Sequence, residues 1–313
     1  MSLRRMLLPL LALAVMAFGA PAAPVRAAAS FVDDAGQTVM VPGPFARIVS
    51  LYPAHTENLV DLGAGSRLVA AGPTPVAEAP GLPLLSYRDD PERVLALKPD
   101  LVLMRPMVAQ VYPQFVARLR QFGVTVACLQ PGGAGELYQY WRRLGLLTGR
   151  QAEAEALCAR FQADLEALRA RVAQVPEARR PRVFFESIHR QFKTFAPDSL
   201  AIFVLSAAGG VNAAADAEGL RDSAIAEYGH ERLLSLAEGV DVYLAQVGTM
   251  NRVSLEAIKE TPGFSALKAV RQGRIYLVDE PLVSRPTPRL IQGVRQVQAL
   301  LYPDLPPAPE ARP

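Results

Sequence analysis

The sequence predicts an α/β protein of two lobes, each with a mainly parallel sheet, joined by one long α-helix. Three observations predict it. Two near-repeated segments lie in opposite halves of the chain, Asp90 to Leu103 and Gly229 to Leu244. Both run Glu-Arg, a short amphipathic helix, a Pro or Gly that stops it, an Asp and an apolar strand, and a repeat of this kind fixes an architecture before any single element does. Apolar strand-length runs alternate with amphipathic helical stretches throughout, the pattern of parallel strands with crossover helices and hence of Rossmann-like lobes. Between the halves, Ala154, Leu157, Phe161, Leu165, Leu168 and Val172 recur at spacings of three and four. That spacing is one apolar stripe on a helix of about 25 residues, or about 40 Å.

The elements follow in order. Arg4 and Arg5 precede an apolar run from Met6 to Phe18. The run is too short to span a bilayer and fits a secretory leader over residues 1–29, with cleavage after Ala27 or Ala29. No Leu-x-x-Cys stands at the junction, so lipid attachment there is not indicated. The first lobe is assigned to 30–148. In it, Phe31 to Val41 forms a hairpin around Asp34-Ala35-Gly36, Arg47 to Leu51 a strand, and Tyr52-Pro53 opens a helix that Gly63 ends. Arg67 to Gly72 is another short apolar segment, and strands Leu101 to Met104 and Val124 to Leu129 follow, with helices Tyr112 to Phe122 and Glu136 to Thr148. Residues 149–176 form the connecting helix, closed by Pro176 and Pro181. The second lobe, 177–313, repeats the alternation from Arg182 through a last helix, Pro288 to Leu301, to a Pro-rich tail that frays. No Gly/Ser linker separates the lobes, so hinge motion is limited and the ligand site belongs in the cleft between them, beyond the carboxyl ends of the strands.

Composition narrows the function. The formal charge of +3 comes from the leader: removing Arg4, Arg5 and Arg26 leaves 30 basic side chains against 30 acidic ones. A nucleic-acid partner therefore has no electrostatic motive. Roughly 285 remaining residues suit two lobes better than one core. Cys128 and Cys158 are the only cysteines and His55, His189 and His230 the only histidines, a set with no zinc signature and no intrinsic cofactor implied. An oxidising compartment permits a Cys128–Cys158 disulfide, two buried free thiols being the alternative. No Gly-x-Ser-x-Gly elbow or P-loop occurs, so the chain does not read as an enzyme.

The residues beyond the strand ends are the cleft candidates. In the first lobe they are Tyr52, His55, Tyr87, Arg88, Arg105, Met107 and Gln110; in the second, Ser187, His189, Arg190, Gln191, Lys193, Phe195, Met250, Asn251 and Arg252. Aromatic faces mixed with cations suit a large, flat or anionic ligand, because guanidinium forks bind carboxylates and rings stack. His189 to Phe195 also reads as a solvated hairpin, His55 as a hydrogen-bonded helix residue, and Glu57 as a helix-capping acid.

Several pieces together resemble a known family. They are Arg47 to Glu57 with Leu62-Gly63, Glu92 to Leu103, the connecting helix, Pro262-Gly263-Phe264, Gly273 to Tyr276, and Arg285-Pro286-Thr287-Pro288-Arg289. In this order they are similar to the helical-backbone substrate-binding proteins of ABC importers for ferric siderophores, cobalamin and haem. The resemblance implies a periplasmic monomer that closes only slightly on a metal chelate and docks on a permease dimer. A cobalamin-like corrinoid or ferric siderophore leads, and haem follows. It also implies that Glu92 and Glu231, in matching places of the repeat, meet permease arginines; both equally suit the helix N-terminal dipole. A receptor for bare zinc or manganese, and an enzyme on the same scaffold, are the competing classes.

Overall fold

The computed structural model describes residues 29–220 and 223–306. The leader over 1–28 and the tail beyond 306 lie outside the described residues. Ala29, counted with the leader on sequence, opens the strand Ala29–Val32, which pairs antiparallel with Thr38–Val41. Asp33 fastens this hairpin. Its Oδ1 accepts the amides of Ala35 and Gln37, and its Oδ2 accepts the amide of Cys128 at 2.9 Å.

The first lobe holds a four-stranded parallel sheet in the order Leu68–Ala71, Ile48–Ser50, Leu101–Met104, Thr125–Cys128. Leu101, Val102, Leu103 and Met104 are fully buried, as expected of a central strand covered on both faces. In the second lobe Arg182–Ile188 runs parallel to Val242–Val247, and that strand to Ile275–Asp279. The other edge is antiparallel: Lys193–Phe195, Ile225–Glu227 and Glu218–Gly219 extend the sheet outward.

The repeat has a structural reason that its sequence pattern only hinted at. Asp100 accepts the Arg47 amide at 2.9 Å, and Asp241 accepts the Arg182 amide at 2.9 Å. Each Asp thus ties down the first amide of the neighbouring parallel strand. The arginine side chains return the contact. Arg47 donates to Leu97 O and Lys98 O, and Arg182 to Gly239 O, at the carbonyl end of the repeat helix. Charge-assisted bonds of this kind are worth about twice a neutral pair.

The helix Leu137–Thr148 ends at Gly149, whose φ of 66° is the left-handed C-terminal cap that glycine adopts without strain. The connecting helix Gln151–Ala173 then runs back along it. Gly145 lets the two approach, since a Cβ there would lie 2.7 Å from Ala154 Cβ. Trp141 and Phe161 seal the contact edge to face at 5.0 Å. The last helix, Leu290–Leu301, covers the other side, with Gln298 Nε2 donating to Leu168 O. One apolar core therefore runs through both lobes and the helix between them, and a smaller core lies on the outer face of each sheet. Cys128 and Cys158 are both free and buried, and burial pushes the Cys128 thiol up to about 12. No helix among the described residues is long and apolar enough to cross a membrane.

Candidate functional site

Tyr52 ends the turn after Ile48–Ser50, and Pro53 starts the helix Pro53–Asp61 immediately behind it. Arg105 likewise follows Leu101–Met104 and precedes a Pro-initiated helix. The two side chains meet, with the guanidinium 4.9 Å from the Tyr52 ring centroid. Tyr52 is half-buried, and burial, opposed by the nearby Arg105 charge, pushes its phenol up to about 12. The phenol is also close enough to Glu280 and Arg285 of the second lobe to feel their charges, so this corner faces both lobes. Tyr87 is half-buried against Tyr112, while Arg88, Met107 and Gln110 are exposed.

From the second lobe, Arg190, Gln191, Met250 and Arg252 are exposed, and Met250 keeps 65% of its surface in water. His189 is half-buried. Lys193 is half-buried and engaged by Glu227 at 2.7 Å. The segment from His189 to Phe195 is a hairpin return, a 3-10 turn His189–Gln191 followed by the strand Lys193–Phe195, and it is not solvated throughout, because Thr194 and Phe195 are buried.

Four sequence-selected residues lie beneath the surface they were expected to line. His55 is wholly buried and donates Nε2–H to Leu129 O at 2.8 Å. Burial lowers its pKa to about 4, so the ring is neutral and its edge supports Tyr52 from below at 5.2 Å. Phe195 packs on Phe185 in the common core, because strand alternation turns it inward. Ser187 is buried and donates to Thr194 O. Asn251 is buried, its amide spent on neighbouring loops.

Glu57 is not a cap. It stands in the middle of its helix, buried, and its Oε1 accepts from Arg285 Nη1 across the lobes at 2.7 Å. Arg285 also holds Glu280 at 3.0 Å, and Arg289 approaches Glu57 at 3.8 Å and Glu78 at 3.3 Å. Beside them Asn58 donates to Pro286 O at 2.9 Å. This seam joins two of the family-like pieces, but nothing local in either marks the partner, 228 positions away. Glu280, Arg285 and Asn58 were thus missed as a unit. So was buried Glu186, the one acid in the strand Arg182–Ile188. That lone acid in a core strand was the available signal.

Glu92 and Glu231 both lie in the first turn of their short helices and are exposed. Glu92 additionally accepts from Arg118 Nη2 at 2.6 Å. A separate hollow of about 300 Å³ lies between the hairpin and the helix Pro113–Gln121. Its lining mixes Gln37, Gln110 and Arg120 with apolar side chains.

Residues 48–282 match the periplasmic binding protein family model. A substrate-binding lipoprotein of an ABC transporter in Bacillus subtilis is 28% identical over 284 residues, covering 87% of this chain and 85% of that protein. The vitamin B12-binding protein of Vibrio cholerae is 26% identical over 82% of this chain and 89% of its own length. Among solved structures, the chain superposes on a possible iron-binding periplasmic protein of Staphylococcus epidermidis with a TM-score of 0.71 at 24% identity, covering 83% of this chain and all of that one, a likeness of fold. It superposes on a periplasmic heme-binding protein of Roseiflexus with a TM-score of 0.67 at 25% identity, covering 83% and 99%.

Proposed function

This chain belongs to the periplasmic binding protein family, and from that membership we propose that it is the substrate-binding component of an ABC importer. It holds a metal chelate, a cobalamin-like corrinoid or a ferric siderophore, in the cleft between its lobes and hands it to the permease dimer. It does so as a monomer in the periplasm after loss of the leader, with lobes at 30–148 and 177–313 and the connecting segment 149–176 between them. The observation that carries the ligand reading is the Arg105–Tyr52 pair, a cation held on an aromatic face where the lobes meet. From the second lobe the exposed Arg190, Arg252 and Met250 supply charge for a ligand's acidic rim and a soft apolar contact for its face. Haem shares these demands and is the second reading. A bare zinc or manganese ion needs a ligand cluster, and among the described residues no group of three or more His, Cys, Asp or Glu side chains is arranged for one.

Glu92 and Glu231 are the proposed contacts to permease arginines. Exposed ion pairs add only about 0–1 kcal/mol each, so two of them on rigidly joined lobes supply orientation more than affinity. The test is a pair of charge reversals, Glu92→Arg and Glu231→Arg, in cells that depend on the importer. Uptake is expected to fall to background while the purified double variant retains parental affinity for cobalamin, ferric siderophore or haem. Undiminished uptake, or lost affinity, contradicts the docking assignment. Chelate recovered chemically altered after incubation would instead favour an enzyme.

A further inference from the structure

Glu186 is fully buried at the end of the strand Arg182–Ile188, below the second lobe's half of the cleft. Three donors converge on it. His189 presents Nδ1 to Oε2 at 2.7 Å, the Tyr243 hydroxyl donates to the same oxygen, and Asn251 Nδ2 donates to Oε1 at 3.2 Å. His189 and Asn251 belong to different cleft loops, one after each of two adjacent parallel strands. The loops are also stitched directly, because the His189 amide donates to Asn251 Oδ1 at 2.9 Å. Asn251 Nδ2 closes the second loop on itself through Gln246 O at 2.8 Å.

Two further features show that this arrangement is imposed by its surroundings. Phe192, three residues past His189, has φ 50°, a left-handed conformation that costs a non-glycine residue about 1–2 kcal/mol. It is held between His230, at 4.7 Å, and Phe264. The other ring nitrogen of His189 lies 3.2 Å from Thr261 Oγ1, whose own proton goes to Ala257 O at 2.8 Å. The titratable groups facing the ring are Glu186 and, through it, Tyr243 from the sheet, with His230 beyond Phe192 and Phe264.

We propose that Glu186 is the positioning residue of the cleft: its carboxylate, engaged by His189 on one side and Asn251 on the other, locks the loop carrying Arg190 and the loop carrying Met250 and Arg252 into one preformed unit. The ligand consequence rests on the chelate-binding reading above; the loop coupling does not. Preorganised loops lose less entropy on binding, so the unit favours capture.

The coupling is read without ligand, as amide hydrogen exchange followed by NMR. In Glu186→Gln the His189 amide, which Glu186 does not touch, is expected to exchange about 10-fold faster, together with the amides of 248–252. Tyr243→Phe removes a donor from the same carboxylate but ties down no loop, and is expected to leave both loops protected. If Glu186→Gln does not fold, His189→Phe serves: it removes the ring contact with Glu186 and keeps the backbone amide, and it should release the 248–252 loop. Parental exchange of the 248–252 amides in these variants overturns the proposal. Cobalamin, ferric siderophore and haem titrations of the same samples then report separately on the ligand reading, where a folded parent that binds none of them would leave the loop result standing.

Discussion

Burying a histidine without a charge partner makes it an acid-sensitive element of the fold. His55 spends Nε2–H on Leu129 O, and its Nδ1 finds no partner among the described residues. Its pKa falls to about 4 from burial, whereas the unfolded chain titrates near 6.5. The unfolded state therefore takes up the proton first as pH falls. The stabilisation is complete above about pH 6.5 and is lost progressively down to pH 4, by about 2–3 kcal/mol in all. Urea unfolding of the parent and of His55→Gln between pH 7 and 4.5 should show the parent losing its advantage over the variant by about that amount. Parallel pH profiles would mean that His55 titrates freely. At this scale the sequence was only partly legible. Tyr52 and Arg105 could be placed because they follow strand ends, but the burial of His55, Phe195 and Asn251 depends on packing from distant segments that no local pattern encodes.

At the level of elements, the connecting helix was the most readable part of the chain. The residues chosen from the three-and-four spacing, Ala154, Leu157, Phe161, Leu165, Leu168 and Val172, are all buried in the Gln151–Ala173 helix. A helix of that length samples its own periodicity for six turns, so tertiary context has little left to decide. The two-residue strands Val211–Asn212 and Glu218–Gly219 cannot display a period of two and went unseen. The stripe makes a sharp prediction. Phe161→Ala, which vacates the contact with Trp141, should cost about 3–5 kcal/mol, while Gln162→Ala on the exposed face should stay within about 0.5 kcal/mol. Equal effects in chemical denaturation would show that the helix does not pack by that face.

For the whole molecule, the lobes are held at two places: along the connecting helix and at the Glu57–Arg285 seam. The helix was foreseeable and the seam was not, because a capping reading of Glu57 is the local one and its true partner belongs to the other lobe. Burial raises the Glu57 pKa above its usual value despite Arg285, so the desolvation penalty is substantial and the pair contributes specificity of lobe orientation more than bulk stability. A double-mutant cycle with Glu57→Gln and Arg285→Gln should give a coupling of about 1–3 kcal/mol. A coupling near zero would leave the helix as the sole determinant of the angle between lobes.

Whether the cleft between the lobes holds the chelate is most directly measured by titrating cobalamin, ferric siderophore and haem into the folded protein and into Arg105→Ala/Arg190→Ala, following ligand absorbance. Saturable one-to-one binding of one chelate, weakened about 10-fold or more in a variant whose unfolding curve matches the parent, is the predicted result. Binding of equal strength in both proteins would put the ligand outside the cleft, and no binding of any chelate by the folded parent would contradict the receptor assignment itself.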